Sequence, residues 1–206
     1  MSSSSVLSDD STLSRADQIW FRLERALTLA SGVVIFALVV LAVYNVLGRK
    51  IFGAPVPGYV DWTEQFMAIF AFLGLSYCQR EGGHIRMDLL VGALRGRILW
   101  FAELLSVIFM WLMTTALIYG TWFHFTRSFD SSAPMWSRDS SIDIALPLWP
   151  AKLVVPVALA ILWVRLILQI WGYWRALRTG DPRPVAVPLP EDASTQAARE
   201  AETVDG

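Results

Sequence analysis

The sequence is short of charge. Only 17% of its 206 residues are Asp, Glu, Lys or Arg, against about 25% in an ordinary soluble domain. The deficit is concentrated, because positions 26–174 hold 18 of the 35 charges over 149 residues and the two ends hold the rest. A soluble domain of that size needs a charged surface that this middle cannot supply. The composition argues against a soluble globular enzyme and for a chain that crosses a membrane several times. Cysteine is almost missing too. Cys78 is alone, so no intrachain disulfide, Cys-based metal site or thiol-exchange pair is available. Histidine is limited to His84 and His124, far apart in the chain, which argues against a haem bundle held by paired axial histidines. No charge of either sign dominates. A net charge of -1 and a pI near 6.1 give no basic footprint for nucleic acid. There is no nucleophile elbow, phosphate-cradling loop or metal-ligand cluster, so no catalytic residue, cofactor or metal is expected.

Long apolar runs are plentiful, and the mean hydropathy is +0.48. Ala26–Gly48 is free of charge and long enough for a transmembrane helix, which takes about 20 apolar residues. It is too long for a signal-peptide core and no small-x-small cleavage site follows it, so it reads as a retained anchor. Three further runs, at about 60–79, 98–126 and 148–174, complete an all-α integral membrane protein with four transmembrane helices over 13–178. All five tyrosines, and seven of the ten tryptophans, fall near the span ends, as expected for side chains that prefer the headgroup layer. Trp111 and Trp163 lie mid-span and are expected to pack against neighbouring helices.

Arginine sets the orientation. Arg15, Arg22, Arg25, Arg80, Arg86, Arg95, Arg97, Arg175, Arg178 and Arg183 fall on one side, against Arg49, Lys50, Arg127 and Arg138 on the other. The positive-inside rule then places both termini in the cytoplasm. Residues 1–12 are Ser-rich and 179–206 are rich in Pro, Ala and acid, so both are expected to be disordered tails. Apolar residues at 13, 16, 20, 23 and 27, with no Gly or Pro over 13–31, predict that the first transmembrane helix starts early, with Ser14 and Asp17 as a capping box. In the second loop, Gly82 and Gly83 permit a tight turn. Asp88 then caps a short interfacial helix whose arginines, Arg86 among them, face anionic lipid.

No acid stands at the centre of a span, where an ion or proton pathway would show itself. The charges near span ends have two readings. Arg49 and Glu64 are either an ion pair that fixes the first hairpin or two independent interface charges. Glu103 and Arg165 are expected to pair across the cytoplasmic half; otherwise Arg165 snorkels to phosphates while Glu103 is protonated or meets Arg97. His84 reads as a loop residue bonded locally, Cys78 as a small packing residue, and Lys152 as snorkelling outward past Trp149.

The segment Arg80-Glu81-Gly82-Gly83-His84-Ile85-Arg86-Met87-Asp88-Leu89-Leu90 resembles the cytoplasmic loop of the small membrane subunits of TRAP transporters, the DctQ-like family of tripartite ATP-independent periplasmic transporters. Arg49 at the end of the first span, Glu64 opening the second with Gly74 ten residues on, and Pro147-Leu148-Trp149 followed by Pro156 agree with it. The resemblance covers about 45–165. It implies a bacterial inner-membrane protein that pairs with a large TRAP membrane subunit carrying the substrate and sodium sites. It also implies a periplasmic solute-binding protein as partner and sodium-driven uptake of a carboxylate-type solute. In that setting the small subunit is a fixed scaffold beside a moving elevator domain, and Arg49 or Glu64 becomes a candidate contact for the binding protein. The alternatives are an accessory or assembly subunit of another membrane complex, or a self-sufficient four-helix channel.

Overall fold

The computed structural model describes Val6, Asp9 and residues 11–82, 97–180 and 185–188. The described chain is helical apart from its loops, and three of its helices are long and apolar enough to cross a membrane. The first, α1 (Thr12–Ile51), runs for 40 residues without a break, about 60 Å at ~1.5 Å per residue. The early start expected from the apolar stripe is what forms. The cap sits one turn earlier than Ser14. The Ser11 hydroxyl accepts from the Ser14 N–H at 3.3 Å, and the Ser14 hydroxyl accepts from the Asp9 N–H at 3.1 Å. Asp17 is thereby released from capping and turned inward.

The face that α1 buries is polar. Asp17, Glu24, Ser31 and Asn45 are all buried and lie at multiples of seven residues from one another, which keeps them on one side of a helix. Leu13 in the first turn is buried, but farther along the apolar side chains turn outward; Phe36 is 70% exposed and Leu29 67%. This suits a helix whose outer face meets hydrocarbon and whose inner face must satisfy polar groups within the protein. Accordingly, the Ser31 hydroxyl donates to the Phe70 carbonyl at 3.1 Å. The Asn45 side-chain oxygen accepts from the Val56 N–H at 2.9 Å.

The run read as a second span is two shorter helices, α2 (Tyr59–Leu73) and α3 (Leu75–Arg80). The break falls at Gly74, the poorest helix former in the run, at a cost of about 1 kcal/mol relative to alanine. Gly82, with φ +71, makes the tight turn expected of it. The expected interfacial helix, and with it Gly83, His84, Arg86 and Asp88, lies outside the described residues.

Helices α4 (Arg97–Ser128) and α5 (Trp149–Thr179) pack antiparallel. Trp100 meets Tyr173, Trp111 meets Trp163 with ring centroids 5.4 Å apart, and Lys152 reaches Ser128. The two mid-span tryptophans therefore shield each other, and the Trp163 N–H donates to the Thr115 hydroxyl at 2.9 Å. Trp100, Leu104 and Val107 of α4 pack with Leu159, Leu162, Leu166, Tyr173 and Ala176 of α5 as the main core. Helix α5 also contacts α1, α2 and α3, so it is the axis of the bundle.

Part of the C-terminal segment packs on the helices. Val185, Ala186 and Val187 pack against α1 and α5, and Pro188 bridges to Val6. The reason is local composition: three consecutive apolar residues beside a proline can bury surface that the surrounding polar tail cannot.

Candidate functional site

The chemistry of the described residues is concentrated in a buried cluster of opposite charges. Helix α1 supplies Asp17 and Glu24, seven residues and about 10 Å apart along the axis. Helix α3 supplies Ser76, Gln79 and Arg80, one helical face by their spacing of three and four. Helix α5 supplies Arg165 and Gln169, again four apart. All seven side chains are buried, and Arg165 has no exposed surface.

Arg165 is the hub. Its Nε donates to Glu24 Oε1 at 2.7 Å and its Nη2 to Glu24 Oε2 at 2.5 Å. This fork-on-fork geometry is the strongest way to hold a carboxylate. Its Nη1 donates to Asp17 Oδ1. The other oxygen of Asp17 accepts from Arg80 Nη2 at 3.0 Å, and Glu24 Oε1 accepts a second bond from the Ser76 hydroxyl at 2.5 Å. Arg80 is held further by Glu81 at 3.0 Å and lies over the Phe21 ring, 3.9 Å from its centroid. One turn along, Gln79 Nε2 donates to Gln169 Oε1 at 2.8 Å, and Gln169 Nε2 donates back to the Gln79 carbonyl at 3.2 Å.

Two carboxylates and two guanidiniums cancel in formal charge. That balance matters in a buried site: a lone buried ion costs several kcal/mol, and only paired, hydrogen-bonded ions recover that cost. The cluster ties three helices together at fixed distances. Its one buried donor without a hydrogen-bond partner is Arg80 Nε, and among the described residues no group of acids, histidines or cysteines is placed to hold a metal.

The pairing expected between Arg165 and Glu103 is not formed. Arg165 turns to α1, where two carboxylates satisfy its fork. Glu103 is buried on α4 with interactions of its own. Arg49 and Glu64 are both exposed at the opposite end, with no ion pair between them. Exposed charges have no desolvation cost that would force a pairing. The charged residues that matter in the described structure are instead Asp17, Glu24 and Arg80, which read in sequence as half of a capping box, a charge preceding the first span and the arginine that opens the loop motif. Their signal was spacing: polar residues at 17, 24, 31 and 45 and at 76, 79 and 80 repeat on single helical faces.

The opposite end has its own clamp. Asp61, in the first turn of α2, accepts from the Ser141 hydroxyl at 2.6 Å, from Ile144 N–H at 2.9 Å and from Asp143 N–H at 3.2 Å. Gln65 donates to the Pro147 carbonyl at 2.8 Å. Ile144 lies over Gly58, where a Cβ would overlap its side chain. Lys152, expected to snorkel outward, binds Asp139 at 2.7 Å instead. That hydrogen bond, with a second from Ser128, holds the Asp139 carboxyl below the usual range. Asp130 is likewise lowered by the Ser132 backbone N–H and by Arg138. The long loop between α4 and α5 is thus pinned to α2 at one flank and to α5 at the other.

Comparison with protein families finds a match over residues 38–176 to the family described as tripartite ATP-independent periplasmic transporters, DctQ component. The match takes in the polar end of α3, all of α4 and most of α5. Comparison with curated proteins gives no match.

Proposed function

The chain belongs to the DctQ family, the small component of tripartite ATP-independent periplasmic transporters, and from that premise we propose that it is the static small permease subunit of such a transporter. In this reading it scaffolds the large membrane subunit during sodium-coupled, binding-protein-dependent uptake of a carboxylate-type solute. The observation that carries the reading is the closed ion cluster. Transport paths need polar or charged groups that exchange partners with a moving ion or solute. Here Asp17, Glu24, Arg80 and Arg165 are committed to one another and lock α1, α3 and α5. A brace of that kind suits a part that stays still while another part moves.

The surfaces fit the same role. The outward faces of α1 and α4 carry large apolar side chains along their length, such as Val40, Phe109 and Leu117, each at least half exposed. Such surfaces need lipid or a partner helix to cover them. We further propose that α2 and α3 together form the fourth span and that both termini face the cytoplasm of a bacterial inner membrane. Reporter fusions test the topology: a fusion after Arg178 should report cytoplasm and one at Ser132 periplasm, and the reverse pattern overturns it. Purification from native membranes in mild detergent tests the assembly. A large hydrophobic permease should accompany the chain in fixed proportion, and recovery with the subunits of an unrelated complex would sink the assignment.

A further inference from the structure

We propose that residues 185–188 are a strap that closes the terminus-side mouth of the ion cluster, fastening the first turns of α1 to α5 and keeping water away from Asp17 and Arg165. The inference is independent of what the transporter carries. Three sets of contacts support it.

The first is burial. Val187 and Ala186 are 0% and 1% exposed, and Leu13 at the start of α1 is 1% exposed. Ala186 joins Leu13 of α1 and Leu168 of α5 in one apolar cluster, flanked by Ala16, Trp20 and Val185. That cluster lies directly beside the charges, since Ala16 precedes Asp17 and Leu168 is one turn from Arg165. The second is fit. Gly172 leaves a notch in α5, and a Cβ there would stand 2.7 Å from Val187 Cγ1 and 3.2 Å from the Val185 carbonyl oxygen. With Val187 in place, a bulky side chain such as leucine at 172 pushes the strap off. The third is anchorage at both ends of the chain: Pro188 bridges to Val6, and Asp9 approaches Arg175 at 3.7 Å. The strap therefore touches the two helices that hold the partners of the Arg165–Asp17 pair.

The physical consequence follows from the dielectric. A guanidinium–carboxylate pair is strong where water is excluded and weak where it is not. A strap that keeps the mouth dry makes the brace stiff, and its release lets water in and loosens α1 from α5.

Disulfide trapping tests the seat of the strap in the full-length chain in native membranes, with Cys78→Ser as background. The ideal Cβ of residue 172 and the Cβ of Val187 are 3.9 Å apart, inside the usual disulfide window of about 3.5–4.5 Å. Gly172→Cys with Val187→Cys should cross-link readily under mild oxidation, while Gly120→Cys with Val187→Cys should not. Water access is read separately by maleimide labelling of Ser14→Cys, whose parent residue is 1% exposed. Labelling should be slow in the full chain. It should rise at least about tenfold on truncation after Gly180 or with Gly172→Leu, because access to a closed site follows the stability of the contacts that close it. Failure of the 172–187 pair to cross-link, or equal labelling of Ser14→Cys with and without the strap, overturns the proposal.

Discussion

Replacing Arg165 by glutamine tests the brace at its hub. The substitution keeps a polar side chain of moderate length and removes three charge-assisted hydrogen bonds, two to Glu24 and one to Asp17. Each such bond is worth about 1.5–3 kcal/mol, but the desolvation of the ions cancels much of the sum. The larger effect is what remains: Glu24, now supported by Ser76 alone, and Asp17 by Arg80 alone. Stranding one partner of a buried ion pair costs about 3–5 kcal/mol. For a chain of this size that corresponds to a fall in Tm of about 6–20 °C, measurable by circular dichroism of the purified protein in detergent. A double-mutant cycle identifies the partner. Arg165→Gln and Glu24→Gln should couple by more than about 1 kcal/mol, whereas Arg165→Gln and Glu103→Gln should add to within about 0.5 kcal/mol. Arg165→Met with Glu24→Met should recover most of the loss, because apolar residues of similar volume often replace a buried pair at little cost. A Tm within 2 °C of the parent for Arg165→Gln, equivalent to roughly 1 kcal/mol or less, would refute the reasoning, as would additivity with Glu24→Gln.

Other outcomes follow from the opposite end. Asp61→Asn keeps the shape of the clamp but removes the charge that gathers Ser141, Asp143 and Ile144; it should destabilise the loop by about 1–3 kcal/mol, read as faster proteolysis between Arg138 and Leu146. Gly58→Val adds strain at a φ of +64 and overlaps Ile144, and should be worse than Asp61→Asn in the same assay. The loop should also loosen in acid. Asp130 and Asp139 have folded-state pKa values below the ordinary 3.8, so their contribution is complete above that value and is lost as pH falls through it toward the lower folded-state pKa. Proteolysis by an acid-active protease should therefore accelerate below about pH 4, and Asp139→Asn should flatten that dependence.

How far the sequence could be read depended on the range of the physics involved. Hydropathy and apolar periodicity are local; the one located α1, α4 and α5, and the other, as a stripe from Leu13, predicted the early start of α1, which begins at Thr12. The Arg80–Leu90 segment placed the family. The broken second span turned on Gly74, whose effect within an otherwise apolar run is a matter of about 1 kcal/mol and leaves no mark in the hydropathy. The ion cluster was hidden for another reason. Glu24 and Arg165 are 141 residues apart, and a charge just before an apolar run looks the same whether it faces water or a partner. Depth along the helix correctly put Arg165 in need of a carboxylate. It could not choose between Glu103 on α4 and the pair on α1, because that choice depends on which face of α5 each neighbour covers. The strap was concealed by composition, since three apolar residues in a long polar tail do not alter its average.

Uptake by reconstituted proteoliposomes is the most direct check of the scaffold assignment. With a sodium gradient, the cognate solute-binding protein and a panel of carboxylates outside, vesicles carrying this chain together with the large subunit should accumulate solute. Vesicles carrying this chain alone should accumulate none. Solute accumulation by the chain alone would contradict the assignment, because it would place a transport path inside the helices that the ion cluster holds closed.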